Sequence, residues 1–482
     1  MLKFTTGLEP AVFARYETEG DLAETLEMAP DGLTAIFTLR PNATWHSIAP
    51  VNGRPADAED VRLSLERFRT FPTNANRNVF GTPGDPLVES VETPNPRTFV
   101  MKLAKPFGPF RTLIANPAYL RIMPKELTAG AVDPAKQMIG TGPFILDSLQ
   151  PDIEVTLKRN PAWYGAPMPY VNDIRLVILK EEAQNVAQFQ AGRTDHYINI
   201  PPEQVPDLKR ARPQASYIEY NVATYSFLYM QLRGESVYRD ERIRRAASMA
   251  IDRDGILQGF YGGRGIWLSA VPSNFGGWRV DPKSPEIGPG GQWFTYNPAE
   301  SRKLLAAAGY PNGLDTRYIF TNNIYGDTWN QSAVAVAGWM KEAGFNPTVI
   351  TQDYQNEYAK PGVGTFFGNF DGMVYGRQSP FSDPHDYLFN MFHSRSARNH
   401  AGVNDPQLDA LIDKEGTTVD QPERVKLVKE IERYVADKVY YAPTAMGVGT
   451  IGIQEWVKGY QPSNNSYGGA AETFAKLWLD RG

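Results

Sequence analysis

Five histidines, His46, His196, His385, His393 and His400, are the first place to look for metal or acid–base chemistry in this chain. No two stand three or four residues apart, the spacing that puts two imidazoles on one helix face and lets them share a metal. His385, His393 and His400 could converge only through folding. All five therefore read as surface or loop residues, and no metal site is expected. There is no cysteine, which excludes thiolate catalysis, zinc–cysteine sites and iron–sulfur clusters. The sequence contains no G-x-S-x-G nucleophile elbow. Gly447-Val448-Gly449-Thr450-Ile451-Gly452 has the phosphate-cradling G-x-G-x-x-G spacing. That motif should end a strand and open a helix, whereas Ile453-Gln454-Glu455-Trp456-Val457 continues as extended or irregular sequence. No catalytic residue and no cofactor are expected.

Binding chemistry is better supplied. Aromatic side chains make up 12% of the chain. Most must fill cores, but flat rings also suit the walls of a ligand cleft. The run Tyr225-Ser226-Phe227-Leu228-Tyr229 is open to either reading. A net charge of −5 leaves no electrostatic footprint for nucleic acid. The densest basic run, Lys209-Arg210-Ala211-Arg212, reads as a solvated helix end.

The elements that would position these residues follow from periodicity. With 482 residues, 42% of them hydrophobic, the chain predicts two to three domains. No apolar run approaches the ~18–20 residues of a membrane span. Asp31-Gly32 is a turn pair that makes residues 22–40 a hairpin. A helix starts at Asp57, with Asp60 at its third position and Val61, Leu65 and Phe68 as an apolar stripe. Pro94-Asn95-Pro96 separates two strands, and Ile153, Val155 and Leu157 alternate with polar residues. After Tyr220 the texture changes. Helices are predicted on Ile243–Ile251, from Asn297-Pro298, from Asp405-Pro406 and near 423–438, with strands at 346–352 and 370–376 between them.

Several of these segments together resemble the extracellular solute-binding proteins of family 5, the dipeptide, oligopeptide and nickel type of ABC importers. The resemblance runs through Asp31-Gly32-Leu33-Thr34 with Phe37-Thr38-Leu39-Arg40, Ala58-Glu59-Asp60-Val61 with Ser64-Leu65-Glu66-Arg67, and Gly140-Thr141-Gly142-Pro143-Phe144 with Arg159-Asn160-Pro161. It continues through Ala250-Ile251-Asp252-Arg253, Ala308-Gly309-Tyr310-Pro311, Asp383-Pro384-His385 and Val457-Lys458-Gly459-Tyr460. Each block is weak alone; their order across nearly the whole chain carries the assignment.

The resemblance implies an α/β fold of the periplasmic-binding-protein type II. It has two lobes, a hinge of two crossing strands and an extra subdomain. The larger lobe would take residues 1–222 and 447–482, with the subdomain at about 57–170, and the second lobe 223–446. The crossings would fall near 217–226 and 442–452, making Gly447, Gly449 and Gly452 hinge glycines valued for their free φ and ψ. The function implied is the substrate-binding component of an ABC transporter. A monomer would close on a peptide-like or other small polar solute and deliver it to a membrane permease, in the periplasm or anchored by lipid at the outer membrane face. Met1-Leu2-Lys3-Phe4 shows no signal segment, and Met1 aligns inside the family pattern, so the larger lobe is expected to lack an edge strand or a wall of its cleft. An enzyme with an unrecognised hydrolytic site and a sensory protein on the same fold are the alternatives.

The ligand-lining residues implied are Tyr225, Phe227 and Tyr229, which follow the first crossing, and Tyr375, Arg377, Gln378 and Phe381 in the family's ligand-lining stretch. There the family's acid for a peptide α-amine aligns with Pro380, and Arg377 stands where an aromatic is common. An uncharged, anionic or amine-blocked solute is therefore favoured over a free peptide. Arg377 either faces the cleft or pairs with a nearby acid.

Overall fold

The computed structural model describes residues 1–4, 17–71, 74, 77–82, 85–116, 119–130, 133, 136–221, 225–378, 381–461 and 470–481. The hairpin forms as β1 (Ala23–Met28) and β2 (Thr34–Leu39), with Gly32 supplying the left-handed turn. Asp57 caps α1 (Ala58–Thr70): its carboxylate accepts from the Asp60 amide and the Asp60 carboxylate accepts from the Asp57 amide, each at 3.0 Å. Asp60 also accepts from Trp45 Nε1 at 3.0 Å and from both terminal nitrogens of Arg54, so this acid pins helix, loop and sheet together. With β3 (Val88–Asn95) and β4 (Thr98–Leu103), the sheet order is β1-β2-β4-β3. Its inward face carries Ala35, Phe37, Leu39, Phe99 and Met101, packed with α2 (Phe110–Ala115) in one core that runs from Met1 to Ile139.

Next comes a three-stranded antiparallel sheet of β5 (Phe144–Gln150), β6 (Glu154–Arg159) and β7 (Asp173–Val177). After it, α3 (Glu182–Gln190) and β8 (Ser216–Asn221) complete this part of the chain. The chain then enters a different body at β9 (Tyr225–Met230), followed by α4 (Glu241–Met249), α5 (Arg253–Tyr261) and β10 (Gly265–Trp267). The alternation continues through β11 (Leu314–Thr321), α6 (Asp327–Glu342), β12 (Phe345–Gln352) and β13 (Met373–Gln378). It ends with α7 (Pro384–Phe392), α8 (Pro406–Thr417), α9 (Gln421–Lys438), β14 (Tyr441–Pro443) and β15 (Ala445–Ile453). The five-stranded sheet has the order β12-β11-β13-β9-β14; β11 runs parallel to β12 and β13, and β9 antiparallel to β13 and β14.

Helices cover both faces of that sheet. Leu228, Met230, Tyr318, Phe320 and Tyr375 pack with α4, α5 and α6 on one side. Phe227, Tyr229, Ile319 and Val374 pack with α7, α8 and α9 on the other. A strand covered on both faces cannot offer alternate side chains to a cleft, as the sequence reading expected of Phe227 and Tyr229. They are 0% and 1% exposed, and the Tyr229 hydroxyl is bonded to that of Tyr358 at 2.6 Å.

Two strand pairs join the bodies. β8 pairs with β15 from Ser216↔Ile453 to Asn221↔Val448, β9 pairs with β14, and the Thr444 amide donates to the Ser226 carbonyl at 3.1 Å. The three glycines of β15 have a different reason from the one expected. None of them has a left-handed φ. Instead, an added Cβ would lie 2.2 Å from the Tyr261 ring at Gly447, 2.4 Å from Tyr220 at Gly449 and 2.8 Å from Phe189 at Gly452. Aromatic rings lie against this strand, and only glycine leaves room for them. Among the described residues, no helix is long and apolar enough to cross a membrane.

Candidate functional site

In an open α/β sheet, ligands collect outside the carboxyl ends of parallel strands. Here β11, β12 and β13 end together, with Thr321 opposite Gln352, and the antiparallel β9 begins beside them, with Tyr225 opposite Gln378. The chain arrives from β8 at that edge and leaves through β14 and β15 at the same edge. It is therefore the edge turned toward the rest of the molecule.

Buried polar atoms without partners gather there. Among the described residues, Arg377 Nε, both amide atoms of Gln378, Thr321 Oγ1 and Asn330 Oδ1 find no hydrogen-bond partner. Such an atom costs about 1–3 kcal/mol when nothing satisfies it, so a concentration of them at one strand edge marks a place made for something else to bind. The loop from β11 into α6 builds the frame: Trp329 Nε1 donates to the Thr321 carbonyl at 3.2 Å and Asn330 Nδ2 to the Asn322 carbonyl at 3.0 Å. Trp329 then lies over the Tyr375 ring at 4.4 Å, and Tyr325 meets Trp329 edge-on at 5.2 Å. The Arg377 guanidinium sits 4.7 Å from the Tyr325 ring centre and 4.6 Å from that of Trp329. Burial holds its pKa below the usual arginine value, with the phenols of Tyr261, Tyr375 and Tyr325 acting the other way. Among the described residues, no carboxylate lies within ion-pair distance of it. Pleating sends Gln378 to the opposite face from Arg377; its side chain is 1% exposed.

A second feature lies where the body of the four-stranded sheet meets α7, α8 and α9. The Gly108 amide donates to the Gly416 carbonyl at 2.9 Å, and Thr112 Oγ1 donates to the Asp383 carboxylate at 2.7 Å. The Phe107 ring stands edge-on to His385 at 5.4 Å. Under this contact, Arg424 pairs with Asp383 and, at 2.7 Å, with Glu415, which also meets His385 Nδ1 at 2.5 Å. Burial works against the Arg424 charge, and Asp383 and Glu415 outweigh it, so its pKa is raised. For Glu415, burial pushes upward, but His385 and Arg424 prevail and hold the carboxyl low. Asp386 is pushed up to about 7, by burial first and Asp383 second, and here the opposing pull of His385 and Arg424 is outweighed.

The expected residues thus divide. Arg377 and Gln378 stand at the strand edge with unsatisfied atoms, and Arg377 has no acid partner among the described residues. Tyr375 lies beneath them in the core, its hydroxyl 3.2 Å from Ser332 Oγ. Phe381 packs edge-on against Tyr387 at 5.0 Å in the other core. The backbone of Tyr225 is in the edge pairing, but its side chain and Pro380 lie outside the described residues. His385, His393 and His400 go to separate places: beside Glu415, between Asp409 and Asp413, and against the Phe366 ring. Sequence reasoning missed Tyr325, Trp329, Gly108 and Thr112. The first two could have been found, because they follow directly on a strand ending in a parallel sheet. The last two depend on the approach of two bodies, which leaves no local signal.

Residues 17–399 match the family model for bacterial extracellular solute-binding proteins, family 5 middle. Heme-binding protein A of Haemophilus influenzae is 25% identical, over 96% of this chain and 84% of that protein. The periplasmic oligopeptide-binding protein OppA of Salmonella typhimurium is 24% identical, over 89% and 80%. Among solved structures, the ABC transporter-associated periplasmic binding protein DppA of Helicobacter pylori, in complex with the peptide STSA, superposes with a TM-score of 0.78 at 21% identity. It covers 100% of this chain and 91% of that one. The architecture is the α/β, periplasmic-binding-protein type II fold that the sequence implied.

Proposed function

The chain belongs to the bacterial extracellular solute-binding proteins of family 5, and on that premise we propose that it is the substrate-binding component of an ABC importer. It takes up a peptide-like or other small polar solute between two lobes and hands it to a membrane permease. The lobes are residues 1–222 with 447–482, including a subdomain at about 57–170, and residues 223–446. The strands that pass between them, β8 to β9 and β14 to β15, form the hinge. The protein acts as a monomer on the outer side of the cytoplasmic membrane, in keeping with the periplasmic relatives above.

The observation that carries this reading is the polar edge of the five-stranded sheet, where Arg377, Gln378, Thr321 and Asn330 hold unsatisfied atoms at the mouth of both crossings. Unsatisfied groups of this kind suit a binder: they gain hydrogen bonds only when a solute arrives and water leaves, and that difference in affinity is what drives closure. Binding needs enclosure and no nucleophile. A micromolar solute corresponds to about −8 kcal/mol, within reach of a few buried contacts.

The test is to pass the water-soluble small molecules of a bacterial culture over the immobilised protein and analyse what is retained. A solute held in a one-to-one amount and released intact on denaturation is the expected result. Steady conversion of any retained compound into product would overturn it in favour of an enzyme.

A further inference from the structure

We propose that the solute carries a carboxylate and that this group seats on the edge of the Arg377 guanidinium between Tyr325 and Trp329. The proposal rests on the solute-binding reading above and adds the chemical class of what is bound.

A guanidinium stays protonated in proteins, so Arg377 brings a full positive charge to a half-buried position. Two buried arginines elsewhere in this molecule are answered, and Arg279, whose Nε also lacks a partner, still donates from Nη2 to the Trp267 carbonyl at 3.0 Å. Arg424 has Asp383 and Glu415, and Arg244 donates to the carbonyls of Tyr238, Arg239 and Lys438. Arg377 has neither kind of answer at Nε, and among the described residues no carboxylate within ion-pair distance. Its neighbours are rings. Tyr325 and Trp329 lie 4.7 and 4.6 Å from its central carbon. Ring faces stabilise a cation in part and hold its orientation, but they accept no in-plane hydrogen bond.

Geometry then selects the partner. With the rings fixing the group, what remains available is its in-plane edge of N–H donors, the fork that matches two oxygens of a carboxylate. Stacking of Trp329 on Tyr375 at 4.4 Å fixes the indole, so the fork is aimed before the solute arrives. One guanidinium among phenols and an indole supplies one positive charge, which a carboxylate balances. A phosphate dianion would leave negative charge unanswered in a drying cleft. A neutral carbonyl would satisfy one donor and leave the charge unanswered.

The experiment uses the same culture extract, applied in parallel to wild type, Arg377→Met and Arg377→Lys, before and after methyl esterification of its carboxylic acids. A further arm presents inorganic phosphate alone and reads thermal stabilisation. Wild type is expected to retain a compound bearing a carboxylate and to lose that retention when the extract is esterified. Arg377→Met should bind the retained compound roughly 10- to 100-fold more weakly, the scale of a lost charge-assisted pair. Arg377→Lys, which keeps the charge and loses the fork, should fall between them, with the melting temperatures of the solute-free proteins unchanged. Retention of a compound without a carboxylate, equal affinity in Arg377→Met, or stabilisation by phosphate in preference to carboxylic acids would overturn the proposal while leaving the solute-binding reading intact. A wild type that retains no solute at all would fail that reading and this proposal with it.

Discussion

Most of the residues that identify this family are structural when seen in three dimensions. Asp60, in the Ala58-Glu59-Asp60-Val61 block, is buried and accepts from Arg54, Trp45 and the backbone of Asp57 and Lys125. Asn160 holds the Gly142 carbonyl at 2.9 Å, and Arg253 donates to the carbonyls of Pro443 and Ser248. Glu432 was singled out by nothing in the sequence. It is buried and accepts from Ser269 Oγ at 2.7 Å, from the Val271 amide at 2.9 Å and from the Val280 amide. Burial pushes its carboxyl up from 4.5 to about 7. A raised folded-state pKa means stability that is fully present below about 4.5 and is lost as pH rises through about 7, in all about 3 kcal/mol. Glu432→Gln cannot titrate. Relative to this variant, wild type should therefore lose about 2.5 kcal/mol of stability from pH 5 to pH 8, read from urea midpoints. A difference that stays constant across that range would show that Glu432 does not titrate there. The identifying residues fix the fold because they anchor loops and helix ends. They are silent on the solute for the same reason, and family membership was legible where the ligand was not.

At the scale of elements, the sequence was readable wherever one face of a segment met one core. The hairpin of β1 and β2, the capped α1 and the amphipathic α4 and α9 fall within a few residues of where periodicity puts them. At β9 the position just after the first crossing suggested cleft-facing side chains, whereas the strand serves a sheet covered on both sides. The sequence also misled at β15, whose glycines make room for rings. The contact of α2 with α8 depends on two elements about 300 residues apart, and it yields a prediction. An added Cβ on Gly108 would lie 2.1 Å from the Thr418 carbonyl and 2.6 Å from Arg424 Cδ. The carbonyl is backbone, so the two bodies must move apart. Gly108→Ala should weaken capture of the retained solute by tenfold or more, on the order of 1.4 kcal/mol or greater, while the solute-free protein melts at the wild-type temperature. Calorimetric titration against wild type checks the first part and a thermal melt the second. Unchanged affinity would mean that this contact is not part of the binding-competent state.

At the level of the whole molecule, solute capture requires two bodies that change their relation when a solute binds. Each has its own core, from Met1 to Ile139 on one side and around the five-stranded sheet on the other. The ties between them include the crossing strands, the contact at Gly108 and Thr112 and the ion pair of Arg264 with Glu219. Such a partition permits hinge motion at modest cost, because closing rearranges no core. The absence of cysteine from the chain makes the motion directly measurable. Ile153 and Val334 are 58% and 59% exposed, one in β6's turn and one in α6, so cysteines placed there accept dyes without disturbing packing. Single-molecule energy transfer between those two positions, with and without the retained solute, reads lobe closure itself. Two distances are expected in the solute-free protein, with a shift of population to the shorter one as solute is added, saturating at one equivalent. A single distance that does not respond to bound solute would contradict that closure.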